Sequence, residues 1–212
     1  MRGFVWSPSH VVELWTALTA GHPIGSVLVR SEPSGTRLAP ISTLSACSVD
    51  ASVVLPGCSA TGVYDGFNRL AGLSMTAYAR WVRVGHTNRS ISWRIAYDPF
   101  AETFHHSTAL LLDKNSALFP DISALFRVSG KTEVQEVVTR YGTAIRSTKS
   151  SALRKRTASE ICRAEANLLE LSAVLDTANL FVVSMHAGAS DAHALEAMLL
   201  ANGVVNGTQL PR

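Results

Sequence analysis

The chain has 212 residues, of which 47% are hydrophobic and 17% are charged, and its formal net charge is +3. This composition excludes an intrinsically disordered chain and is typical of one globular domain with at most one extension. The mild basicity permits a polyanionic partner but does not demand one.

The cysteines and the apolar runs indicate the compartment. Cys47, Cys58 and Cys162 are odd in number and have no C-x-x-C spacing, so we expect reduced, intracellular thiols. No apolar run reaches the ~18 residues of a membrane span. We therefore expect a cytoplasmic protein with no membrane partner.

The first 30 residues predict a helix, a turn and a strand. In "WSPSHVVELWTALTAGHPIGSVLVR", Ser7 suits the N-cap of a helix and Pro8 its first position. Apolar residues then recur at helical spacing, and Gly21 is placed to end the helix. Pro23 and Gly25 turn the chain into the β-branched run "SVLVR".

The middle of the chain predicts short strands around one helix. Residues 31–60 are rich in Ser, Pro, Gly and Thr, which predicts a loop with at most one strand near 53–55. A strand at 62–64 is predicted to lead into a helix that begins with "FNRLAGL". "RWVRV" and "SISWRIAYD" on either side of "GHTN" predict a hairpin, and "DPFAETF" predicts a further short strand.

The last third predicts mainly helices. Apolar spacing predicts helices over 134–145 and 158–175, then a strand at "NLFVVSM" and a capped helix from Ser190 or Asp191. This mixed order of elements predicts an α+β fold. The basic run "RSTKSSALRKRTASE" precedes the second of these helices. It is either a solvated connection between helices or a contact to a phosphate backbone, with Arg154, Lys155 and Arg156 as the binding residues.

The stretch "YDGFNR" is the most informative one for chemistry. Gly66 allows a positive φ or the close approach of a ligand, and a following helix N-terminus suits phosphate. Arg69 lies in the first helical turn, where its guanidinium group can bind phosphate oxygens in pairs. Asp65 can accept a sugar hydroxyl, hold a divalent ion or orient a water. The alternative is structural, with Asp65 capping the helix and Arg69 paired to it.

Several stretches resemble the GmrSD-type restriction domain, a prokaryotic family with a ParB/sulfiredoxin-like fold. "RGFVWSPSHVVELWTALTAGHPIGSVLV" is similar to the family's opening: a Gln-Arg pair, a Gly-aromatic-x-Trp segment, a helix and a Tyr-Pro-Ile-Gly-Ser turn. "DGFNRL" is similar to its Asp-Gly-Gln-Gln-Arg motif before a Leu-rich helix. "IAYDPFAETF", "LFPDISALF" and "LEAMLLANGVVNGTQL" follow in the family's order.

The resemblance implies both a fold and a function. It implies a ParB/sulfiredoxin-like mixed sheet flanked by helices, with a nucleotide-binding core over residues 1–130 and a helical extension packed on it over 131–212. It implies an NTP-binding domain of an anti-phage restriction system that depends on DNA modification. Cleavage would belong to a separate nuclease or helical partner chain, because we recognise no nuclease site in this sequence.

The resemblance also implies the site residues. Arg2 matches the arginine of the Gln-Arg pair and, with Arg69 and Gly66, would bind the phosphates of the NTP. Asn68 would position the nucleotide. Asp65 would hold Mg²⁺ or orient the attacking water, which makes Asp65 and Arg69 the catalytic pair.

Departures from the family's pattern favour binding over turnover. Met1 stands where the family has a glutamine, Phe67 and Asn68 replace two glutamines, and Val204 stands where a late asparagine is expected. We therefore expect weak or absent NTP hydrolysis. The alternative function is a non-catalytic DNA-binding or assembly module of such a system, which would use the basic run at Arg154–Arg156.

Overall fold

Six α-helices and nine strands lie within the residues that the computed structural model describes, which are 4–30, 35–43, 52–53, 61–84, 89–106, 117–148 and 150–185. The helices are α1 (Pro8–Thr19), α2 (Phe67–Ala77), α3 (Ser123–Phe126), α4 (Lys131–Ser147), α5 (Ser151–Arg154) and α6 (Ala158–Thr177). The strands are β1 (Ser26–Arg30), β2 (Gly35–Pro40), β3 (Ser52–Val53), β4 (Thr61–Asp65), β5 (Val82–Arg83), β6 (Ser90–Ile91), β7 (Ile95–Asp98), β8 (Thr103–His106) and β9 (Asn179–Met185). The α+β class is therefore confirmed.

The main sheet has five strands in the order β2-β9-β1-β4-β3. β9 runs parallel to β1 and antiparallel to β2, so it lies between two strands that are consecutive in the sequence. β4 continues the sheet antiparallel to β1. β5 with β6, and β7 with β8, form two separate antiparallel pairs.

Helix α1 begins and ends where the sequence predicts. Ser7 precedes it, and the Ser7 backbone N–H donates to His10 Nδ1 at 3.1 Å. At the other end, Gly21 has a φ of +71°. The N–H groups of Gly21 and His22 bond to the carbonyls of Leu18 and Ala17, which is the Schellman arrangement that a left-handed glycine permits.

Strand β2 corrects the prediction that residues 31–60 hold at most one strand, near 53–55. It pairs with β9 over its whole length, from Gly35 opposite Ser184 to Pro40 opposite Asn179. Glycine and proline argue against a strand locally, but proline is tolerated at the edge of a sheet. The long-range pairing with β9 decides the structure here.

The C-terminal third shares one core with the rest of the chain. Val138, Leu168 and Val182 are fully buried in the same cluster as Val27 and Val29 of β1. β9, which follows residue 130, is a strand of the main sheet. That sheet therefore contains strands from both sides of the division predicted at residue 130. The helix predicted from Ser190 or Asp191 lies outside the described residues.

The segment predicted as one strand, "SISWRIAYD", is two strands. β6 closes the hairpin with β5, as predicted, whereas β7 pairs with β8. Phe4 and Val84 form an additional parallel bridge, which attaches the N-terminal segment to this hairpin. None of the helices in the described part of the chain is long and apolar enough to cross a bilayer.

Candidate functional site

The turn between β4 and α2 contains the motif "DGFNR". β4 ends at Asp65, whose backbone pairs with Leu28, and α2 begins at Phe67. Gly66 lies between them at the N-cap position. The Asp65 side chain lies outside the described part of the structure, so the structural alternative, in which Asp65 caps α2 and pairs with Arg69, stays a prediction. Gly66 supplies no side-chain cap, and the first N–H groups of a helix have no partner within it. A strand, a glycine and a helix N-terminus in this order form a geometry that suits an anion.

The conformation and the packing of Gly66 both require glycine. Its φ is +83°, in the left-handed region that other residues rarely adopt. A methyl group at this position would lie 2.8 Å from Val27 Cγ2 and 3.0 Å from the Ser26 carbonyl oxygen. The start of α2 is therefore pressed directly onto β1.

Arg69 points back from the first turn of α2 onto the start of β1. Its Nη2 group donates a short hydrogen bond to the Ser26 carbonyl oxygen. A methyl group at Gly25 would lie 2.7 Å from Arg69 Nη1, and one at Gly66 would lie 3.1 Å from Nη2. The guanidinium group thus lies against the backbone of Gly25 and Gly66, where the Ser26 carbonyl oxygen holds it.

Asn68 joins α2 to the N-terminal segment. Its side-chain Oδ1 accepts a hydrogen bond of 2.9 Å from the backbone N–H of Val5. Phe4, the preceding residue, is fully buried and packs edge-on against Trp93, with ring centroids 5.4 Å apart. The N-terminal segment is therefore held beside the first turn of α2.

Gly66, Asn68 and Arg69 lie at the start of α2, directly after the backbone of Asp65. The side chains of Asn68 and Arg69 have different partners, the Val5 N–H and the Ser26 carbonyl. Arg2 lies outside the described residues. Sequence reasoning missed Gly25 and Ser26, whose backbone accommodates the Arg69 guanidinium group. In the sequence, Gly25 and Ser26 belong to the Pro-Ile-Gly-Ser turn. The pattern of this turn predicts only that a helix is connected to a strand there.

The basic run Arg154–Arg156 lies at the junction of α5 and α6. Arg154 Nε donates to the Thr148 carbonyl at 3.0 Å. The Arg156 guanidinium group lies 4.7 Å from the centre of the Phe100 ring and pairs with Glu160 at 2.9 Å. Lys155 is exposed. These residues connect two helices on the surface, and their predicted contact with DNA stays a prediction.

Glu160 provides a pH-dependent readout of this junction. Hydrogen bonds from the Thr157 backbone N–H, the Arg156 side chain and the Thr157 hydroxyl lower the pKa of Glu160 to about 2. Because folding lowers the pKa of Glu160, its ionised carboxylate stabilises the fold at pH values above the ordinary pKa of 4.5. This stabilisation is lost as the pH falls through about 2. We expect Arg156→Ala to raise the pKa of Glu160, but not fully to its ordinary value, because the Thr157 N–H remains. An NMR titration of Glu160 in both proteins tests this, and an unchanged pKa would contradict it.

A cavity of about 560 Å³ lies away from the motif, between the end of α2 and helices α3, α4 and α6. Leu125, Phe126 and Leu169 contribute to its largely apolar wall. Tyr78 and Asp176 also line it, and burial, followed by the charge of Asp176, raises the pKa of Tyr78. Such a wall suits an apolar group and does not suit a triphosphate.

Among the described residues, no group of three or more His, Cys, Asp or Glu side chains is arranged to hold a metal ion. A magnesium ion bound with a nucleotide does not need such a group, because it takes one or two carboxylates together with the phosphates and water. Comparison with known proteins gives no family for this chain: no family model matches it, and no curated protein matches it.

Proposed function

We propose that the β4–α2 turn binds the phosphates of a nucleoside triphosphate with Mg²⁺. The observation that carries the proposal is the Arg69 guanidinium group, which packs against Gly25 and Gly66 and bonds to the Ser26 carbonyl beside the N-terminus of α2. A fixed guanidinium group and a helix N-terminus at one point both favour an anion, and a phosphate group matches both.

The other predicted residues take roles around this point. Asp65, the last residue of β4, would hold Mg²⁺ or orient water next to the phosphates. Asn68 would act indirectly, because its Oδ1 accepts the Val5 N–H and so fixes the N-terminal segment. Arg2 precedes Val5 by only three residues in the sequence and would supply the second phosphate contact. Phosphoryl transfer depends chiefly on positioning and charge neutralisation, which this set would provide in part.

We further propose that the chain is a divergent GmrSD-type domain with a ParB/sulfiredoxin-like fold. The order of elements supports this proposal: a turn connects α1 to β1, and Gly66 connects β4 to α2. The mixed main sheet supports it as well. On this proposal the domain belongs to a DNA-modification-dependent restriction system in the cytoplasm, and a separate chain cuts the DNA. NTP binding with slow or absent hydrolysis follows from the replacement of two motif glutamines by Phe67 and Asn68.

Calorimetric titration of ATP and GTP with Mg²⁺ tests nucleotide binding. We expect micromolar binding to the wild type and a loss of at least about tenfold in Arg69→Ala, because the fixed guanidinium group is removed. Arg163→Ala is the matched control: it removes the same charge from an exposed pair with Glu102 and should bind as the wild type does. Phosphate release from the same mixtures measures turnover, which we expect to be slow or absent.

Two results would contradict the proposal. One is the absence of binding to folded wild-type protein at millimolar nucleotide. The other is an equal loss in Arg69→Ala and Arg163→Ala. Because Arg69 also bonds to Ser26, thermal melting must show that Arg69→Ala is folded. Arg69→Lys, which keeps the charge without the paired donors, gives an intermediate affinity if phosphate recognition is the cause.

A further inference from the structure

The cavity between the end of α2 and helices α3, α4 and α6 has the size of a small-molecule site. Its volume is about 560 Å³, and cavities that bind small molecules measure roughly 300–1,000 Å³. Residues from all four of these helical regions line it, so the packing of the fold forms it and not the surface of one helix. None of the described residues of the β4–α2 turn lines it. The cavity is therefore a separate candidate site.

Several apolar side chains in the wall of this cavity are only partly covered by the protein. Phe126, Val134 and Leu169 pack against the core, yet each stays half-buried and also lines the cavity. Val128 is half-buried in the same wall. Burial of apolar surface is favourable in proportion to the area removed from water. A ligand with an apolar body would therefore gain free energy by filling this space.

The charges at the wall favour a ligand that has no net charge. Among the described residues that line the cavity, only Lys131 and Asp176 are charged, and both are exposed. Their charges are opposite and cancel, and most of the remaining lining residues are apolar. A charged ligand would lose its water here without meeting a net counter-charge, which is costly.

Neutral polar side chains in the wall supply the hydrogen bonds that orient a ligand. Tyr78, Gln135 and Ser172 line the cavity. Burial, followed by the charge of Asp176, raises the pKa of Tyr78, so its side chain stays a neutral hydroxyl group. The Ser172 hydroxyl donates to the Leu169 carbonyl at 2.6 Å, which leaves its oxygen as an acceptor. A largely apolar wall with a few polar groups is typical of small-molecule sites.

We propose that this cavity binds an uncharged small molecule with an apolar ring body and one or two hydrogen-bonding groups. The volume of the cavity sets the size of the ligand, and the half-buried apolar side chains set the character of its body. The balanced charges of the wall disfavour a strongly charged ligand such as a nucleotide. This inference goes beyond the proposed nucleotide binding and does not depend on it.

Fluorescence titration of the whole chain with N-phenyl-1-naphthylamine tests the proposal. This dye is uncharged, carries one N–H group and fluoresces in apolar surroundings. We expect it to bind the folded wild type at one site with micromolar affinity. Its anionic counterpart, 8-anilinonaphthalene-1-sulfonate, has the same rings with an added sulfonate group. We expect that compound to bind at least about tenfold more weakly, because its charge would be desolvated without a net counter-charge.

Three variants assign the binding to this cavity. Ala173 is an exposed residue of α6 that lines the cavity, so Ala173→Trp should weaken binding of the uncharged dye at least about tenfold by occupying its space. Ala166→Trp is the matched control, because Ala166 is an exposed alanine of the same helix that does not line the cavity. It should bind as the wild type does. Asp176→Asn should leave the uncharged dye unaffected and strengthen binding of the sulfonate several-fold, because Lys131 is then unbalanced.

Methyl NMR locates the uncharged dye without any substitution. Its addition should shift the methyl signals of Val128, Val134 and Leu169, which line the cavity, and not those of Val11, which is buried in α1. The proposal is overturned if the folded wild type does not bind the uncharged dye up to its solubility limit, or if the sulfonate binds as tightly. It is also overturned if the two tryptophan variants lose affinity equally, or if the cavity methyl signals do not shift.

Discussion

Replacing Trp15 with alanine is expected to lower the free energy of unfolding by about 3–5 kcal/mol, the largest loss that we predict for one residue. Trp15 is fully buried in α1 and packs against two rings, Phe104 at 6.0 Å and Phe126 at 5.3 Å between centroids. Its Nε1 donates to Thr76 Oγ1 of α2 at 2.8 Å. Truncation would leave a large cavity where α1, α2, α3 and β8 meet, and urea unfolding measures the effect.

Two smaller substitutions separate packing from hydrogen bonding at this position. Trp15→Phe keeps a ring but removes the indole N–H, so it should cost clearly less than Trp15→Ala. Thr76→Val leaves that N–H buried without an acceptor and should cost about 1–3 kcal/mol. Combining Trp15→Phe with Thr76→Val should cost less than the sum of the two, because both partners are then removed. A loss below about 1 kcal/mol in Trp15→Ala would contradict the packing described for α1.

Replacing Gly66 with alanine is expected to destabilise the protein by about 3 kcal/mol, for two reasons that add. A non-glycine residue in the left-handed region costs about 1–2 kcal/mol. The new methyl group would also lie 2.8 Å from Val27 Cγ2, and overpacking of this kind typically costs about 1–3 kcal/mol. Urea unfolding of wild type and variant measures the sum.

Gly21→Ala is the matched control for this prediction. Gly21 also has a positive φ, +71°, but a methyl group there would meet nothing within 4 Å. It should therefore cost only the conformational part, about 1–2 kcal/mol. Equal losses in the two variants would mean that α2 is not pressed onto β1, and the placement of Arg69 would then need revision.

Elements governed by local pattern could be predicted from the sequence. α1, α4 and α6 each follow a helical apolar spacing, and each lies where that spacing predicts it. β4 and β9 could be predicted because their β-branched runs are short and well bounded. β2 could not, because its sequence is that of a loop and only its pairing with β9 makes it a strand.

The candidate site shows the same division between local and long-range information. The strand, glycine and helix around Gly66 could be predicted, since the motif and its flanking runs are contiguous. The partner of Arg69 could not, because Ser26 is 43 residues away in the sequence. Sequence reasoning could name a polar role for Asn68 but not its bond to the Val5 N–H, which depends on how the N-terminal segment packs.

The position of β9 has a consequence for how the chain acquires its fold. β9 is the strand between β1 and β2, yet about 150 residues separate it from β1 in the sequence. During synthesis, β1 and β2 therefore cannot pair with β9 until nearly the whole described part of the chain has been made. Pairings of such high sequence separation are slow to form, and the open strand edges are prone to aggregate in the meantime. We thus expect folding to be completed late, by the insertion of one strand, and the nascent protein to depend on chaperones until then.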